Sequence, residues 1–285
     1  MRIEHVDRAS DYYAEAGNIR TGARTVKNLL TGTEGARDNY KFAFSYGSEG
    51  ESWESPRHRH LFEQVRHVID GEYVIAKNRV LPAGWVGYFP ESAYYGPQVK
   101  RPSLKMVTLQ FGGPSGLGFY SVAQRRDAMR SLQARGSFSN GIYNWTDDGG
   151  TRHNEDAGEA VWSEVFGEAV YPKPRYDGIV LIDPSTFDWV KDEESPGVWR
   201  KKLGTFSERE IKIALIRLEP GARLSLGREP AAEVMFLKWG AVTHDGQPHG
   251  PFTAFGSAAT DQPGTLTAAQ DAELLYVKLP TFGSR

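Results

Sequence analysis

Two histidines separated by a single residue constrain this chain more than any other feature of its sequence. His58 and His60 are followed by Gln64, and Gly71 ends the run after it. Side chains two positions apart on a β-strand point to the same face, because successive residues alternate across the pleat. Two imidazoles and a side-chain oxygen on one face predict a divalent metal site in a β-barrel. The alternative is a pair of surface histidines in a polar loop, and the strand pattern that follows disfavours it.

The composition favours many short strands. The chain has 285 residues, among them 31 glycines and 16 prolines, which suits strands joined by tight turns better than a helical bundle. A hydrophobic fraction of 39% and an aromatic fraction of 12% allow an ordinary core. The length permits one large all-β domain or two smaller ones.

The charge and residue usage exclude several classes of function. A net charge of −2 leaves no electrostatic footprint for nucleic acid or an anionic membrane. The absence of cysteine excludes disulfides, thiolate ligands and a cysteine nucleophile. No charged-then-apolar leader opens the chain, and no apolar run approaches the ~18 residues of a membrane span. We therefore expect a cytoplasmic protein without nucleic-acid or membrane partners.

The order of predicted elements divides the chain into two β-rich parts. The first part contains predicted strands at residues 41–46, 53–60, 65–69, 72–76, 85–90 and 104–111. Helical composition then predicts helices at 121–135, ending at Gly136, and at 156–167, with a loop at 137–155 between them. Strands resume at residues 178–182, 199–203, 211–218, 233–239, 252–255 and 274–279. A short helix is also predicted around residues 12–16, and Asp70-Gly71 predicts a hairpin turn.

The second half repeats the spacing of the first. Gly221-x5-Gly227-x-Glu229-x3-Glu233-x6-Gly240 places Gly227 and Glu229 where the first copy has its histidines. A lone carboxylate pair holds transition metals poorly, so we expect this copy to be structural. Mg²⁺ or Ca²⁺ on Glu229, Glu233 and Asp261 is the alternative.

The first motif, His-x-His-x3-Gln-x6-Gly, resembles the cupin superfamily, with Gln64 where most members carry Glu. Its Glu63-Gln64 pair is also similar to the uronate-linearising cupins, whose motif is His-x-His-x-x-Glu-Gln. The second cupin motif is kept at Gly84 and Pro90, but Tyr95 stands at its histidine position.

The resemblance implies an all-β fold with two cupin (double-stranded β-helix, or jelly-roll) barrels joined by a short helical segment. The expected organisation is an N-terminal arm at 1–38, a first barrel at 39–115 with the metal site, a helical connector at 116–176, and a second barrel at 177–285 with a degenerate site.

The resemblance also implies a ligand set in the first barrel. The expected metal ligands are His58, His60, Gln64 and Tyr95, and Glu63 replaces Gln64 if the turn differs by one residue. The cofactor is a divalent metal ion: Fe, Mn, Zn, Ni or Cu. A neutral glutamine leaves more positive charge on the metal and makes it a stronger Lewis acid.

Two side chains are candidates for catalysis. Tyr95, with Tyr94 behind it, is a candidate general base whose phenol would need a lowered pKa. Strand parity places Arg66 and Val68 on the same inward face as Gln64, and His67 outward. Arg66 is expected to bind a substrate carboxylate, or else a buried acid such as Glu63 or Glu72.

These residues predict a metal-dependent enzyme acting on a small organic molecule that is carboxylated or enolisable. Dioxygenase cleavage and Lewis-acid isomerisation or elimination both fit the ligand set. The alternative is a non-catalytic bicupin that binds a metal and a small molecule. A homodimer is the expected oligomer, from the resemblance alone.

Overall fold

The computed structural model describes residues 1–13, 19–47, 50 and 52–283. The described part of the chain before residue 113 contains the strands β1 (Arg2–His5), β2 (Ser10–Asp11), β3 (Arg24–Thr31), β4 (Tyr40–Gly47), β5 (Trp53–Ser55), β6 (Phe62–Asp70), β7 (Glu72–Ala76), β8 (Arg79–Pro82), β9 (Val86–Phe89), β10 (Gln98–Lys100) and β11 (Lys105–Gly112). The middle holds α1 (Val122–Gln133), β12 (Gly136–Ser139), β13 (Ile142–Thr146), β14 (Arg152–Asp156) and α2 (Ala157–Phe166).

The remainder of the chain is again made of strands: β15 (Val180–Ile182), β16 (Val190–Lys191), β17 (Val198–Phe206), β18 (Ile211–Leu218), β19 (Arg223–Leu226), β20 (Glu233–Trp239), β21 (Val242–His244), β22 (Gln247–His249), β23 (Thr253–Ser257), β24 (Gly264–Ala268) and β25 (Ala272–Lys278). The chain forms two compact units, Ser10–Leu181 and Met1–Ala9 with Ile182–Arg285. The predicted all-β class is confirmed.

The first unit contains the barrel that carries the two histidines. A seven-stranded sheet in the order β15-β9-β6-β11-β4-β3-β2 packs on a four-stranded sheet in the order β5-β10-β7-β8. Both sheets contribute to one core, in which Val68 and Met106 from the larger sheet meet Tyr73 and Ile75 from the smaller. All strand pairs of these two sheets are antiparallel where the register is given, as in a jelly roll.

The second unit repeats this architecture strand for strand. Its larger sheet runs β1-β23-β20-β25-β18-β17-β16 and its smaller sheet β19-β24-β21-β22. The strand β20, which begins at Glu233, occupies the place that β6 occupies in the first unit. The sequence repeat is therefore a structural repeat.

The Asp70-Gly71 turn differs from the predicted hairpin. Gly71 has a positive φ of 76°, as expected for a tight turn. The strands on either side do not pair, however: β6 belongs to the seven-stranded sheet and β7 to the four-stranded sheet. The turn is a corner where the chain passes from one wall of the barrel to the other.

Both predicted helices are present with small changes. Ser121 caps α1 with a reciprocal capping box to Gln124, and Asp156 caps α2. Helix α1 ends at Gln133, with Ala134 as its C-cap, and does not reach Gly136, which begins a strand. The predicted loop at 137–155 is instead most of a three-stranded sheet, β12-β13-β14. Neither described helix is long and apolar enough to cross a membrane.

The expected domain boundaries also change. The arm expected at 1–38 is divided: β1 pairs with β23 in the second unit, whereas β3 pairs with β4 in the first. The expected helical connector at 116–176 belongs to the first unit, because its helices share an apolar cluster with Leu61 and Phe62. The short helix expected at 12–16 lies mostly outside the described residues.

Candidate functional site

A backbone bridge places Tyr95 beside the histidine pair. His58 and Tyr95 exchange two backbone hydrogen bonds, of 2.9 and 3.0 Å, and their ring centroids are 4.6 Å apart. The centroids of His58 and His60 are 4.8 Å apart. The expected strand at 53–60 ends at Ser55, so both histidines lie in irregular chain between β5 and β6. The bridge to Tyr95, and not a continuous strand, holds His58 in place.

Both imidazoles are neutral at physiological pH. Burial, together with the nearby charge of Arg20, lowers the pKa of His58 to about 3. Burial and the adjacent His58 lower the pKa of His60 well below its usual value. The Nδ1 atom of His58 lies 2.7 Å from the Pro56 carbonyl oxygen, which accepts a hydrogen bond if that nitrogen carries the proton.

Arg66 occupies the interior next to Gln64, as strand parity predicts. Its Nε and Nη2 atoms donate to the Gln64 side-chain oxygen at 3.1 and 2.6 Å, and its Nη1 donates to the Tyr73 hydroxyl. The guanidinium also lies over the Phe89 ring, 4.4 Å from its centroid. The Gln64 amide nitrogen in turn donates to the Tyr95 hydroxyl at 2.6 Å. Arg66 therefore donates these hydrogen bonds to neutral groups.

The barrel interior contains a cavity of about 100 Å³. His58, His60 and Arg66 line it, whereas Gln64 and Tyr95 do not. The four expected metal ligands are thus close in space but do not all face one open position.

His58, His60, Gln64 and Tyr95 do not together fit a resident divalent cation as a four-ligand set. The only ligand atom of Gln64 already accepts two N–H groups from Arg66, and the Tyr95 hydroxyl accepts one from Gln64. A guanidinium beside the site would repel a metal ion. In the part of the chain that the structure describes, no group of three or more His, Cys, Asp or Glu residues could hold a metal.

The two tyrosines that were candidate bases have different surroundings. Burial raises the pKa of Tyr95, so its phenol stays protonated and is not poised as a base; its hydroxyl accepts the Gln64 amide N–H. Tyr94 is 47% exposed, under the guanidinium groups of Arg57 and Arg59 at 4.3 and 4.8 Å. Tyr94 does not line the cavity, which disfavours it as the second-choice base.

Glu63 cannot replace Gln64 as a ligand. It lies on the opposite face of β6, where the Tyr88 hydroxyl donates to its Oε1 atom at 2.5 Å. Burial raises the pKa of this carboxyl to about 8. Glu72 is also not a partner of Arg66, because it pairs with Arg101 at 3.1 Å. Neither of the acids expected to neutralise Arg66 does so.

Sequence reasoning missed several further basic side chains that line the same cavity, three of them on strands. Arg24 comes from β3, Lys41 from β4 and Lys100 from β10. None of them makes an ion pair with a described carboxylate, and the same holds for Arg66. The two lysines are 9% and 7% exposed. The sequence contained one indication, since Lys41 alternates with Phe42 and Phe44 on a strand that is buried on both faces.

A neutralised ion pair forms another part of the wall. Arg20 donates to both carboxylate oxygens of Asp156, at 2.7 and 3.1 Å, and to the Gly141 carbonyl at 2.8 Å. The same carboxylate caps α2. This pair holds the helix end against the wall of the first barrel.

The carboxylate of Glu233 in the second barrel is hydrogen-bonded to groups of its own barrel. The Oε2 atom of Glu233 accepts backbone N–H groups of Gly227, Arg228 and Glu229, and Oε1 accepts the Tyr276 hydroxyl. Since this carboxylate is used within the loop, the alternative Mg²⁺ or Ca²⁺ site on Glu229, Glu233 and Asp261 is wrong. A larger cavity of about 1010 Å³ lies nearby, but its walls contain paired charges such as Lys212 and Glu229, 2.7 Å apart.

No family model and no curated protein matches the chain. Solved structures do match. A candidate dioxygenase from Nostoc punctiforme superposes with a TM-score of 0.61 at 9% identity, covering 100% of this chain and 87% of that one. A candidate glyoxylate-induced protein from Pseudomonas aeruginosa has a TM-score of 0.58 at 10% identity, with coverages of 99% and 89%. A variant of oxalate decarboxylase from Bacillus subtilis has a TM-score of 0.51 at 13% identity, with coverages of 100% and 78%.

These neighbours are cupin-type proteins, and the chain has their fold: two jelly-roll barrels of the bicupin kind. At such low identity the likeness concerns the fold, and the function has to be argued from the site.

Proposed function

We propose that the first barrel binds a small carboxylated organic molecule as its substrate. The observation that carries this proposal is Arg66, a buried guanidinium at the cavity wall whose hydrogen-bond acceptors, Gln64 and Tyr73, are both neutral. A charge taken out of water without a counter-charge is costly. A carboxylate from solution would supply that charge and bind the guanidinium in the bidentate geometry that Arg favours.

Of the two expected reaction types, dioxygenase cleavage and isomerisation or elimination, the basic side chains around the cavity favour the second, which begins with proton transfer at an enolisable carbon. Fixed cations stabilise negative charge that develops on an enolate oxygen, without reorganising during the reaction. His58 and His60 are uncharged and lie at the same cavity, so either can accept a proton once an anion is bound and raises its pKa. The reaction class supported best is therefore isomerisation or elimination on a small carboxylate.

The test compares carboxylate binding and proton exchange in the wild type with those in variants that lack the Arg66 guanidinium. We expect Arg66→Gln to weaken carboxylate binding at least tenfold, and Arg66→Lys to restore only part of it, because the ammonium lacks the planar fork. Arg101→Gln is the matched control, since it removes the same charge from an exposed position. Isothermal titration calorimetry measures binding, and deuterium uptake at the substrate α-carbon by NMR measures proton transfer. Unchanged affinity in Arg66→Gln would refute the proposal.

A metal-dependent enzyme, the function expected from the motif, is the second candidate. The observation in its favour is the pair of neutral imidazoles on one cavity, because neutral imidazole is the form that binds metals. Elemental analysis of the purified protein tests it. A stoichiometric metal that is lost in both His58→Ala and His60→Ala would support this candidate over a purely cationic site.

A further inference from the structure

A second group of cations faces the cavity from strands other than that of Arg66. The Lys41 ammonium lies 3.6 Å from the centroid of the Tyr12 ring, and the Lys100 ammonium lies 4.4 Å from that of Trp53. Cation–π contacts of this kind stabilise an ammonium group without using its N–H donors in hydrogen bonds to oxygen or nitrogen. Each lysine therefore retains N–H donors suited to an oxygen ligand.

Lys41 is separated from Arg66 across the sheet, whereas Lys100 and Arg66 both lie near the Tyr73 ring, 5.2 and 5.0 Å from its centroid. In the register, Arg66 is opposite Thr108 of β11, and Thr108 is opposite Ala43 of β4. Lys41 lies two residues before Ala43, so two strand spacings, roughly 10 Å of backbone, separate it from β6. Lys100 lies on β10 of the other sheet. The cations therefore approach the cavity from different walls and do not form one cluster on a single strand.

Several buried polar atoms at the cavity lack hydrogen-bond partners among the described residues. They are Nε2 and Oε1 of Gln98, Oγ1 of Thr108, Nε1 of Trp53, and Nε and Nη1 of Arg24. All four residues line the cavity, and Gln98 is only 1% exposed. A buried polar atom without a partner costs roughly 1–3 kcal/mol, so native proteins leave few of them. Their concentration at one cavity indicates a polar ligand.

We infer that the cavity takes a ligand with two anionic groups, a small dicarboxylate. Arg66 binds one carboxylate; Lys41 and Lys100 bind the other, assisted by the donors of Arg24 and Trp53. This inference rests on the proposed function, because it uses Arg66 as the first anchor. It adds a second anchor that the histidine motif does not indicate.

The size of the cavity limits the ligand. About 100 Å³ corresponds to roughly three water molecules at ~30 Å³ each. Drug-sized ligands occupy pockets of about 300–1,000 Å³, so bicyclic substrates are too large. The shortest dicarboxylates combine two charges with the fewest atoms, and they are the expected ligands.

The experiment compares ligands that differ in charge on variants that differ in one anchor. Acetate, oxalate, malonate, succinate and inorganic phosphate are titrated by calorimetry into the wild type, Lys41→Met, Lys100→Met and Arg66→Gln. Methionine keeps the length of the lysine side chain and removes the charge. Lys105→Met is the control, since that lysine is half exposed on β11 and pairs with Asp70. Thermal unfolding of each variant checks that it is folded.

We expect one short dicarboxylate to bind the wild type at least tenfold more tightly than acetate. Lys41→Met and Lys100→Met should remove this preference and leave acetate affinity unchanged, whereas Arg66→Gln should weaken both ligands. Equal binding of acetate and dicarboxylates, with Arg66 still required, would overturn the inference and keep the proposed function. Binding unaffected by Arg66→Gln would overturn both. Tighter binding of phosphate than of any dicarboxylate would also overturn the inference. If a lysine variant fails to fold, the comparison of acetate with the dicarboxylates on the wild-type protein decides the inference.

Discussion

Arg66 shows how one side chain changes the interpretation of a metal motif. Strand parity correctly places it inside the barrel with Gln64. Strand parity does not predict that the guanidinium donates hydrogen bonds to the Gln64 side-chain oxygen, the atom that a metal ion would need as a ligand. The Arg66 guanidinium therefore lies next to the position expected for the metal ion. The histidine pair keeps its place, and the chemistry we propose around it is that of anion binding.

Glu63 gives a prediction on stability and pH. Its pKa is about 8 in the folded protein, raised by burial from 4.5, so the folded state binds this proton more tightly than the unfolded chain does. Stability should therefore fall as pH rises from about 4.5 to 8. Glu63→Gln should remove this loss and stabilise the protein by roughly 1–4 kcal/mol above pH 8. Urea unfolding across this pH range measures it.

The control for this prediction is Glu72→Gln, because that carboxylate is half exposed and pairs with Arg101. Its stability curve should run parallel to that of the wild type. A Glu63→Gln curve parallel to the wild type would show that Glu63 is ionised in the folded protein at neutral pH.

The buried lysines predict a link between anion binding and protons. Burial and the charges of Arg24 and Arg66 lower the pKa of both Lys41 and Lys100 well below the usual value. A bound anion raises these values again, so binding should take up protons and weaken as pH rises. Tyr12, Tyr73, His60 and Arg125 also lie near the two lysines.

Calorimetry in two buffers of different ionisation enthalpy measures this uptake. About one proton or more per anion is expected in the wild type, and fewer in Lys41→Met or Lys100→Met. Identical binding enthalpies in the two buffers would contradict the prediction.

At the level of elements, β4 explains why the cationic wall was not predicted. The alternation of Phe42 and Phe44 with smaller residues predicts a strand, and the strand is present. It does not predict which side faces the barrel, because residues 40–45 are all buried. Lys41, Ala43 and Ser45 line the cavity, and the aromatic residues alternate with them. Period-2 patterns identify a polar outer face only where that face is solvated.

Helix α1 provides a test of local sequence signals. Ser121 accepts the Gln124 N–H at 3.1 Å, and the Gln124 side chain accepts the Ser121 N–H at 2.8 Å. Ser121→Ala should lower the free energy of unfolding by about 1 kcal/mol. Gln133→Ala, at an exposed position in the same helix, should change it by less than about 0.5 kcal/mol. Denaturant unfolding compares them, and equal effects would show that the cap contributes nothing.

For the whole molecule, the repeat shows that one barrel architecture holds two different interiors. Both units have the same order of strands. In the first, four basic side chains at a small cavity have no described acidic partner. In the second, several charges around a larger cavity are paired, as in the 2.7 Å contacts of Arg200 with Asp192 and Lys212 with Glu229. The smaller cavity is the better functional candidate, since basic groups buried without an acid favour an anionic ligand more than paired groups do.

Glu233 gives a prediction at this scale. It accepts three backbone N–H groups and one hydroxyl, so Glu233→Ala leaves several buried donors without an acceptor. We expect a loss of roughly 2–4 kcal/mol in the stability of the second unit. Hydrogen exchange should show faster opening of β20 and β25, with β6 and β11 unchanged. Glu229→Ala, which removes a half-exposed pair, should cost less than about 1 kcal/mol; equal costs would contradict a structural role for Glu233.

The sequence alone determined the class of fold, the repeat and the place of the site. Strand alternation, the glycine spacing and the capping residues act within a few positions of the chain, so their effects can be predicted locally. It also placed His58, His60 and Tyr95 near one another through the motif spacing.

Only the tertiary structure decided what surrounds the histidines. Arg24, Lys41, Arg66 and Lys100 come from four strands in two sheets, and the chain offers no local pattern that links them. Their convergence depends on strand pairing, sheet packing and which buried face points inward. Because electrostatic energy depends on distances between side chains and not on positions in the chain, these contacts changed the expected metal centre into a candidate anion site.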